Sequence, residues 1–401
     1  MLNRWLFGLS LLALPFGWGA TAQLYPADPT PLVALLDAPD VRNPLLSPDG
    51  SAIAWTDRDA TCVYRFASDA TDCTPWPDDT RLNSGRFNQP VWSPDSRSLV
   101  MHEDFFTGLN ESDLWRFDVA RGTYTRLTDD AGVNGSSGFV GLTIDFAPSF
   151  HPVTGALYFF RLSSAGQAFG LSDAKIALME LNENGEAEPV RILSPDITGP
   201  SSVFLPGAFS EAGTTLYLSV IPEDWAHNPQ TGVYALDLRD NRLTQVAALA
   251  ELQDGLPAES RARFAPMQLQ ASAAGVVVWM VDGSLTPGPI VRTPVYIDPA
   301  GGTVASLVDY GGFEDAAGFA APLTGQVMPG GQSFWLLAAE SPERLSLSAL
   351  ALPPTGAAPE PLVQFSHTPG RHDDPPPTLS EDGKLLLLDV LFTLGAGASA
   401  G

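Results

Sequence analysis

Positive charge is what this chain has least of. Its 401 residues carry 21 Lys and Arg against 46 Asp and Glu, a formal net charge of −25. Such a surface repels phosphate backbones, so a nucleic-acid partner is not expected. It keeps the chain dispersed, and it attracts cations or basic partners. Long apolar runs are also missing, apart from residues 5–16, which are too short to span a bilayer comfortably. Cysteine is nearly absent, with only Cys62 and Cys73, and histidine is scarce. No Walker loop, dinucleotide fingerprint, Cys-x-x-Cys pair or Gly-x-Ser-x-Gly elbow occurs. The chain therefore has no sequence signature for nucleotide binding, dithiol redox chemistry or a serine-hydrolase elbow. Asn134-Gly135-Ser136-Ser137-Gly138 is rich in the right residues but has the wrong spacing, and reads as a flexible loop.

What is present begins with an export signal. Arg4 gives a positive start, the apolar stretch follows, and Ala20-Thr21-Ala22 is a small-x-small cleavage site. Residues 1–22 read as a signal peptide cleaved after Ala22, with an uncleaved signal anchor as the alternative. The mature protein is then periplasmic or extracellular, without a transmembrane segment. Export permits a Cys62–Cys73 disulfide across the polar turn Ala67-Ser68-Asp69-Ala70, and two free thiols are the alternative.

A turn of the type Ser-Pro-Asp-Gly followed by a short apolar run recurs seven times. Ser47-Pro48-Asp49-Gly50 precedes Ala52-Ile53-Ala54-Trp55, and Ser93-Pro94-Asp95-Ser96 precedes Leu99-Val100-Met101. His151-Pro152-Val153-Thr154-Gly155 precedes Ala156 and the aromatic run after it, and degenerate copies end at Gly213, Gly275, Gly331 and Gly383. The spacing, about 46 to about 62 residues, suits a four-stranded propeller blade. One supersecondary unit cannot bury its own apolar face, so copies must stack. Pro44, Pro90, Pro148, Pro206, Pro266, Pro322 and Pro377 precede the turns and are expected to open strand A of each unit. Strand B is the apolar run, and alternating pairs such as 113–119 and 123–128 supply strands C and D. The expected fold is an all-β propeller of seven four-stranded blades, with six as the alternative. The seventh unit is incomplete, and residues 32–36 before the first unit match the missing part. The expected organisation is a closing N-terminal segment at 23–40, a propeller at 41–394 and a flexible tail at 395–401.

Pro90-Val91-Trp92-Ser93-Pro94-Asp95 and Leu114-Trp115-Arg116-Phe117-Asp118-Val119, followed by Thr125-Arg126-Leu127-Thr128, resemble the WD40-like (PD40) repeats of TolB-type propellers. The resemblance runs from about residue 40 to the C-terminus. It implies a propeller shared by periplasmic TolB-type proteins, by propellers capping some serine peptidases and by oligogalacturonate lyases. The extra N-terminal α/β domain of TolB is not expected here. Fold does not decide function, so the site must.

In a propeller the B–C and D–A connections share one face, and the A–B and C–D turns share the other. The expected A–B turns are tight, whereas long connections at 103–112, 163–173, 221–231, 129–145 and 253–263 fall on the first face. His102, Phe105, Trp225, His227, His372 and Asp373 are the expected binding residues there. The segment His367 to Asp374 gathers His367, His372, Asp373 and Asp374, a donor set that suits a divalent transition metal. Solvated loop histidines are the alternative, and no other cofactor is expected. The leading functional reading is a non-enzymatic, monomeric binding module for an envelope protein or glycan. Its rival is a metal-dependent polysaccharide lyase or hydrolase with a His/Asp site on the same face.

Overall fold

The computed structural model of the protein describes residues 42–56, 59–77, 90–103, 112–128, 143–163, 172–179, 191–193, 203–222, 224–254, 256, 264–282, 292–308, 322–328, 331–341, 344–356, 360–366, 378–379 and 386–387. The expected signal peptide at 1–22, the segment 23–40 and the expected tail at 395–401 lie outside them.

The described residues form seven antiparallel sheets, each a meander of consecutive strands. The first holds β1 (Arg42–Leu46), β2 (Ala52–Thr56), β3 (Ala60–Arg65) and β4 (Ala70–Pro75). The second holds β5 (Val91–Trp92), β6 (Ser98–His102), β7 (Leu114–Asp118) and β8 (Thr123–Arg126). The third holds β9 (Thr143–Phe150), β10 (Leu157–Ser163), β11 (Ser172–Met179) and β12 (Arg191–Leu193). The fourth holds β13 (Val203–Phe209), β14 (Thr215–Ile221), β15 (Gly232–Asp237) and β16 (Arg242–Ala248), and leads into the short helix α1 (Leu249–Gln253). The fifth holds β17 (Phe264–Ser272), β18 (Gly275–Asp282), β19 (Arg292–Asp298) and β20 (Thr303–Ser306). The sixth holds β21 (Pro322–Val327), β22 (Ser333–Ser341), β23 (Arg344–Ala351) and β24 (Glu360–Ser366). The seventh shows β25 (Thr378–Leu379) and β26 (Leu386–Leu387).

The second strand of a sheet is apolar on both faces because each face meets a different sheet. Leu99 and Met101 of β6 pack with Ala52, Ala54 and Val63 of the first sheet, whereas Val100 packs with Leu157 and Phe159 of the third. In β18, Val276, Val278 and Met280 meet the fourth sheet, while Val277 and Trp279 meet Phe334 and Leu336 of the sixth. Each such side chain contributes about 1.5–3 kcal/mol by burial. The sheets therefore stack in chain order, and β25 and β26 lie against β1 of the first sheet.

The recurrent turn is a closed hydrogen-bonded unit. Ser47 N–H donates to Ala52 O at 2.8 Å and Gly50 N–H to Ser47 O at 2.9 Å, and Ser93 repeats this with Ser98 O and the Ser96 amide. Ser47 Oγ donates to Asp49 Oδ1 at 2.7 Å and accepts the Ala52 amide at 2.9 Å. Gly50 sits at φ 69°, where a side chain would be strained.

Most of the prolines do more than open strands. Register shifts fall between Arg42 and Leu45 around Pro44, and between Leu205 and Ala208 around Pro206. The pairing of β9 with β10 skips the stretch holding Pro148, and Pro266 and Pro322 each border a shift. These prolines sit at bulges in edge strands, where no ladder bond from the ring nitrogen is needed. Pro90, just before β5, and Pro322, the first residue of β21, fit the expectation of a strand start, and Pro377 lies outside the described residues.

The outer hairpin of the first sheet is stapled. Cys62 of β3 and Cys73 of β4 are directly opposed and joined by a disulfide.

Candidate functional site

The expected binding face gathers the ends of second strands, the starts of third strands and the connections to the next sheet. Its best-defined part lies between the second and third sheets. There, buried polar groups are arranged in two linked ion pairs with one further carboxyl.

Arg161, near the end of β10, donates Nε and Nη2 to the two oxygens of Asp145 in β9 at 2.7 and 2.6 Å. Asp145 is fully buried. A two-pronged guanidinium satisfies such a carboxylate, whereas losing either partner would strand a buried charge. Arg126 of β8 pairs with Asp113, just before β7, directing both Nε, at 3.0 Å, and Nη2 to the one oxygen Oδ2. Thr128 Oγ1 donates to Asp113 Oδ1 at 3.2 Å and accepts the Leu114 amide at 2.9 Å. The guanidinium of Arg126 also lies over the Trp115 ring at 5.8 Å.

Glu103 follows the last residue of β6 and is 4% exposed. Its Oε1 accepts the Trp115 indole N–H at 2.8 Å, and its Oε2 accepts the Asp113 amide at 3.3 Å. Burial pushes its carboxyl above the ordinary glutamate range, and the Asp113 charge adds to this. The hydrogen bonds from Trp115 and Asp113 and the charge of Arg126 oppose the shift without cancelling it. Ser112 Oγ lies 2.8 Å from Glu103 O and 2.9 Å from Asp145 O, so one hydroxyl spans the two sheets. The Asp145 amide donates to Ser112 O at 2.8 Å, and Ser112 bridges Ile144 in parallel.

The expected residues are not gathered at one point among the described residues. His102 ends β6, is buried, and its Nδ1 lies 2.9 Å from Glu103 O, a donor's position toward a carbonyl. Trp225 lies in the connection between β14 and β15 and packs against the cluster of the fourth and fifth sheets. Its carbonyl accepts the Thr231 hydroxyl at 2.6 Å. His227, with a side chain 83% exposed, pairs only with Asp224 in the described contacts, at 3.1 Å. Phe105, His367, His372, Asp373 and Asp374 lie outside the described residues. Among the described residues, no three His, Cys, Asp or Glu side chains converge to hold a metal ion. A groove of about 350 Å³ between α1 and the outer strands of the fifth sheet is lined by Glu251, Leu252, Asp254, Val295, Val304 and Ser306. None of the expected residues is among them.

The opposite face is built from short turns that consume their own polar groups. Asp118 Oδ1 accepts the amides of Ala120 and Arg121 at 3.0 and 2.9 Å, and Asp237 repeats this with Arg239 and Asp240. His151 occupies the serine position of the third A–B turn. Its Nδ1 accepts the amides of Val153 and Thr154 at 3.2 and 3.0 Å, so the proton sits on Nε2. Nε2 then donates to Gly213 O of the fourth sheet's turn at 2.7 Å.

No family model matches the chain, and neither does any curated protein. Solved structures share its fold. TolB from Acinetobacter baumannii is 14% identical with a TM-score of 0.39, covering 82% of this chain and 66% of that one. A structure from a study of two prolyl endopeptidases is 13% identical with a TM-score of 0.51, covering 86% of this chain and 45% of that one. The β-propeller domain of the trilobed protease from Pyrococcus furiosus is 13% identical with a TM-score of 0.47, covering 84% of this chain and 86% of that one. This chain spans under two thirds of the TolB chain and under half of the endopeptidase chain. The fold class is a TolB-like β-propeller: all-β, with four-stranded meanders stacked in order. At such identities the likeness concerns the fold and not the chemistry.

Proposed function

We propose that this protein is an exported β-propeller that binds a protein or glycan of the cell envelope through its B–C and D–A face. The observation that carries the reading is the contrast between the two faces. On one, the A–B turns and several C–D turns satisfy their own amides and carbonyls and offer little adaptable surface. On the other, the longer connection at 224–231 also closes its own hydrogen bonds, but it carries the exposed side chain of His227 out to where a ligand could meet it. The acidic charge of −25 favours a partner with basic groups. In this reading the propeller is a monomer of seven blades at 41–394, followed by the tail at 395–401. The segment 23–40 supplies the outer strand of the last blade, and the packing of β25 and β26 on β1 supports that closure.

The test is capture from an envelope extract on immobilised mature protein, compared with W225A, H227A and, on the opposite face, V153D. Val153 is 67% exposed at an A–B turn. Loss of a captured partner with the first two variants but not the third is the expected result. Loss with V153D alone would place binding on the wrong face for this reading. Zinc, manganese or iron in the purified protein at one ion per chain would turn the reading toward the metal-dependent enzyme, with His367, His372, Asp373 and Asp374 as ligands. Removing residues 23–40 is expected to lower the melting temperature sharply by exposing an unpaired blade edge.

A further inference from the structure

We propose that the Glu103 carboxyl is a proton-sensitive fastening of the junction between the second and third sheets, tight when protonated and strained when ionised. The proposal stands on the geometry of the buried cluster and is independent of the binding role.

Charge sets the problem. Among the described residues, the cluster holds three acidic groups, Glu103, Asp113 and Asp145, and two guanidiniums, Arg126 and Arg161. Each guanidinium is bonded to its own aspartate. The hydrogen bonds that Glu103 accepts come instead from neutral N–H groups, those of Trp115 and Asp113. An ionised Glu103 would therefore be a third negative charge beside Asp113, in a place that water barely reaches.

The main chain makes the position consequential. The Glu103 amide donates to Asp113 O at 3.0 Å. Its carbonyl meets both Ser112 Oγ and His102 Nδ1, and Ser112 carries the link onward to Asp145 of the next sheet. Movement of the Glu103 side chain away from Asp113 would pull on the residue where both sheets are tied. Among the described residues, the titratable and charged groups of this cluster are His102 from β6, Asp113 before β7, Arg126 from β8, Asp145 from β9 and Arg161 from β10. Each guanidinium faces its own aspartate, whereas the Glu103 carboxyl faces neutral donors.

The direction follows from its raised folded value. A carboxyl held above its unfolded value adds stability that is full below the unfolded value of about 4.3 and is lost as pH rises through the folded one. The junction is tightest below that unfolded value and loosens as pH rises through the folded one.

The experiment follows the Trp115 indole N–H resonance of nitrogen-labelled protein from about pH 4 to about pH 8. Its assignment comes from loss of the signal in W115F. In the wild type it should shift with a midpoint above the ordinary glutamate range, and in E103Q it should stay flat. The carboxyl carbon of Glu103 in glutamate-labelled wild type should titrate with the same midpoint, a readout that needs no variant to fold. The Asp113 amide should exchange faster above that midpoint than base catalysis alone explains. A flat indole signal in the wild type would overturn the proposal. So would a Glu103 carboxyl carbon that titrates in the ordinary range, or an indole titration that persists in E103Q.

Discussion

Replacing His151 by alanine should separate the third and fourth sheets at their A–B turns, and the structure gives the size of the effect. The variant loses the bond from Nε2 to Gly213 O, worth about 0.5–1.5 kcal/mol net. It leaves the amides of Val153 and Thr154 without their acceptor, which costs about another 1 kcal/mol at these partly exposed positions. The ring also packs against Tyr158 and Phe209, with centroids 6.0 and 5.2 Å away, and that contributes about 0.5–1.5 kcal/mol. The total is about 3 kcal/mol, or about 3–6 °C in melting temperature for a cooperative unit of this size. Asparagine at 151 should recover about half of the loss. Its oxygen can accept the two turn amides as Asp118 does in its own turn, but it cannot reach Gly213. Scanning calorimetry on wild type, H151A and H151N checks this order. A melting temperature for H151A within 1 °C of wild type, or H151N no better than H151A, would refute the reasoning. Gly213 is the other half of the contact. It has φ 67°, and a Cβ there would meet the His151 ring at 2.2 Å, so G213A should cost at least as much as H151A.

Mature protein exported from its source should show a two-hydrogen mass deficit and a Cys62–Cys73 cross-linked peptide, and reduction should cost about 2.5–3 kcal/mol by the chain-entropy account. Two thiols that alkylate without reduction would contradict it. Asp145→Ala should cost about 3–5 kcal/mol because Arg161 is left buried without its partner, and replacing both residues by alanine should cost less than that substitution and Arg161→Ala summed. Strict additivity in that cycle would show that the pair is not coupled. Burial works to raise the Asp118 carboxyl, but the Arg121 amide and charge and the Ala120 amide hold it below the usual aspartate range. Its stabilisation is therefore present above the unfolded value of about 3.9 and lost as pH falls through the lower folded one. D118N should accordingly flatten the acid limb of the stability curve, and an unchanged limb would refute the assignment.

The fold was largely legible because its signal is repeated. The Ser-Pro-Asp-Gly turns and the apolar runs after them fall on first-to-second strand turns and on second strands, and the alternating hairpins at 113–119 and 123–128 became β7 and β8 with shorter ends. The role of the prolines was not legible. A bulge and a strand start look alike in sequence, and only the register of the neighbouring strand tells them apart. His151 carried a usable signal, since it stands where other repeats have serine, and that position must offer an acceptor to the turn. Glu103 and Asp113 did not. As sequence, Asn110-Glu111-Ser112-Asp113 reads as a solvated turn, yet Ser112 is fully buried and Asp113 is 1% exposed. Their burial depends on Arg126 and Thr128 from the returning strand and on Asp145 from the next sheet. No local pattern contains those partners.

The central claim, that a partner is bound on the face of the long connections, is tested most directly by hydrogen-exchange mass spectrometry. Mature protein would be compared alone and with the partner captured from envelope extract. Protection confined to peptides covering 103–113 and 222–231, with the turns at 47–51, 93–97, 151–155 and 210–214 unchanged, is the predicted result. Protection at those turns, with none at the long connections, would contradict it.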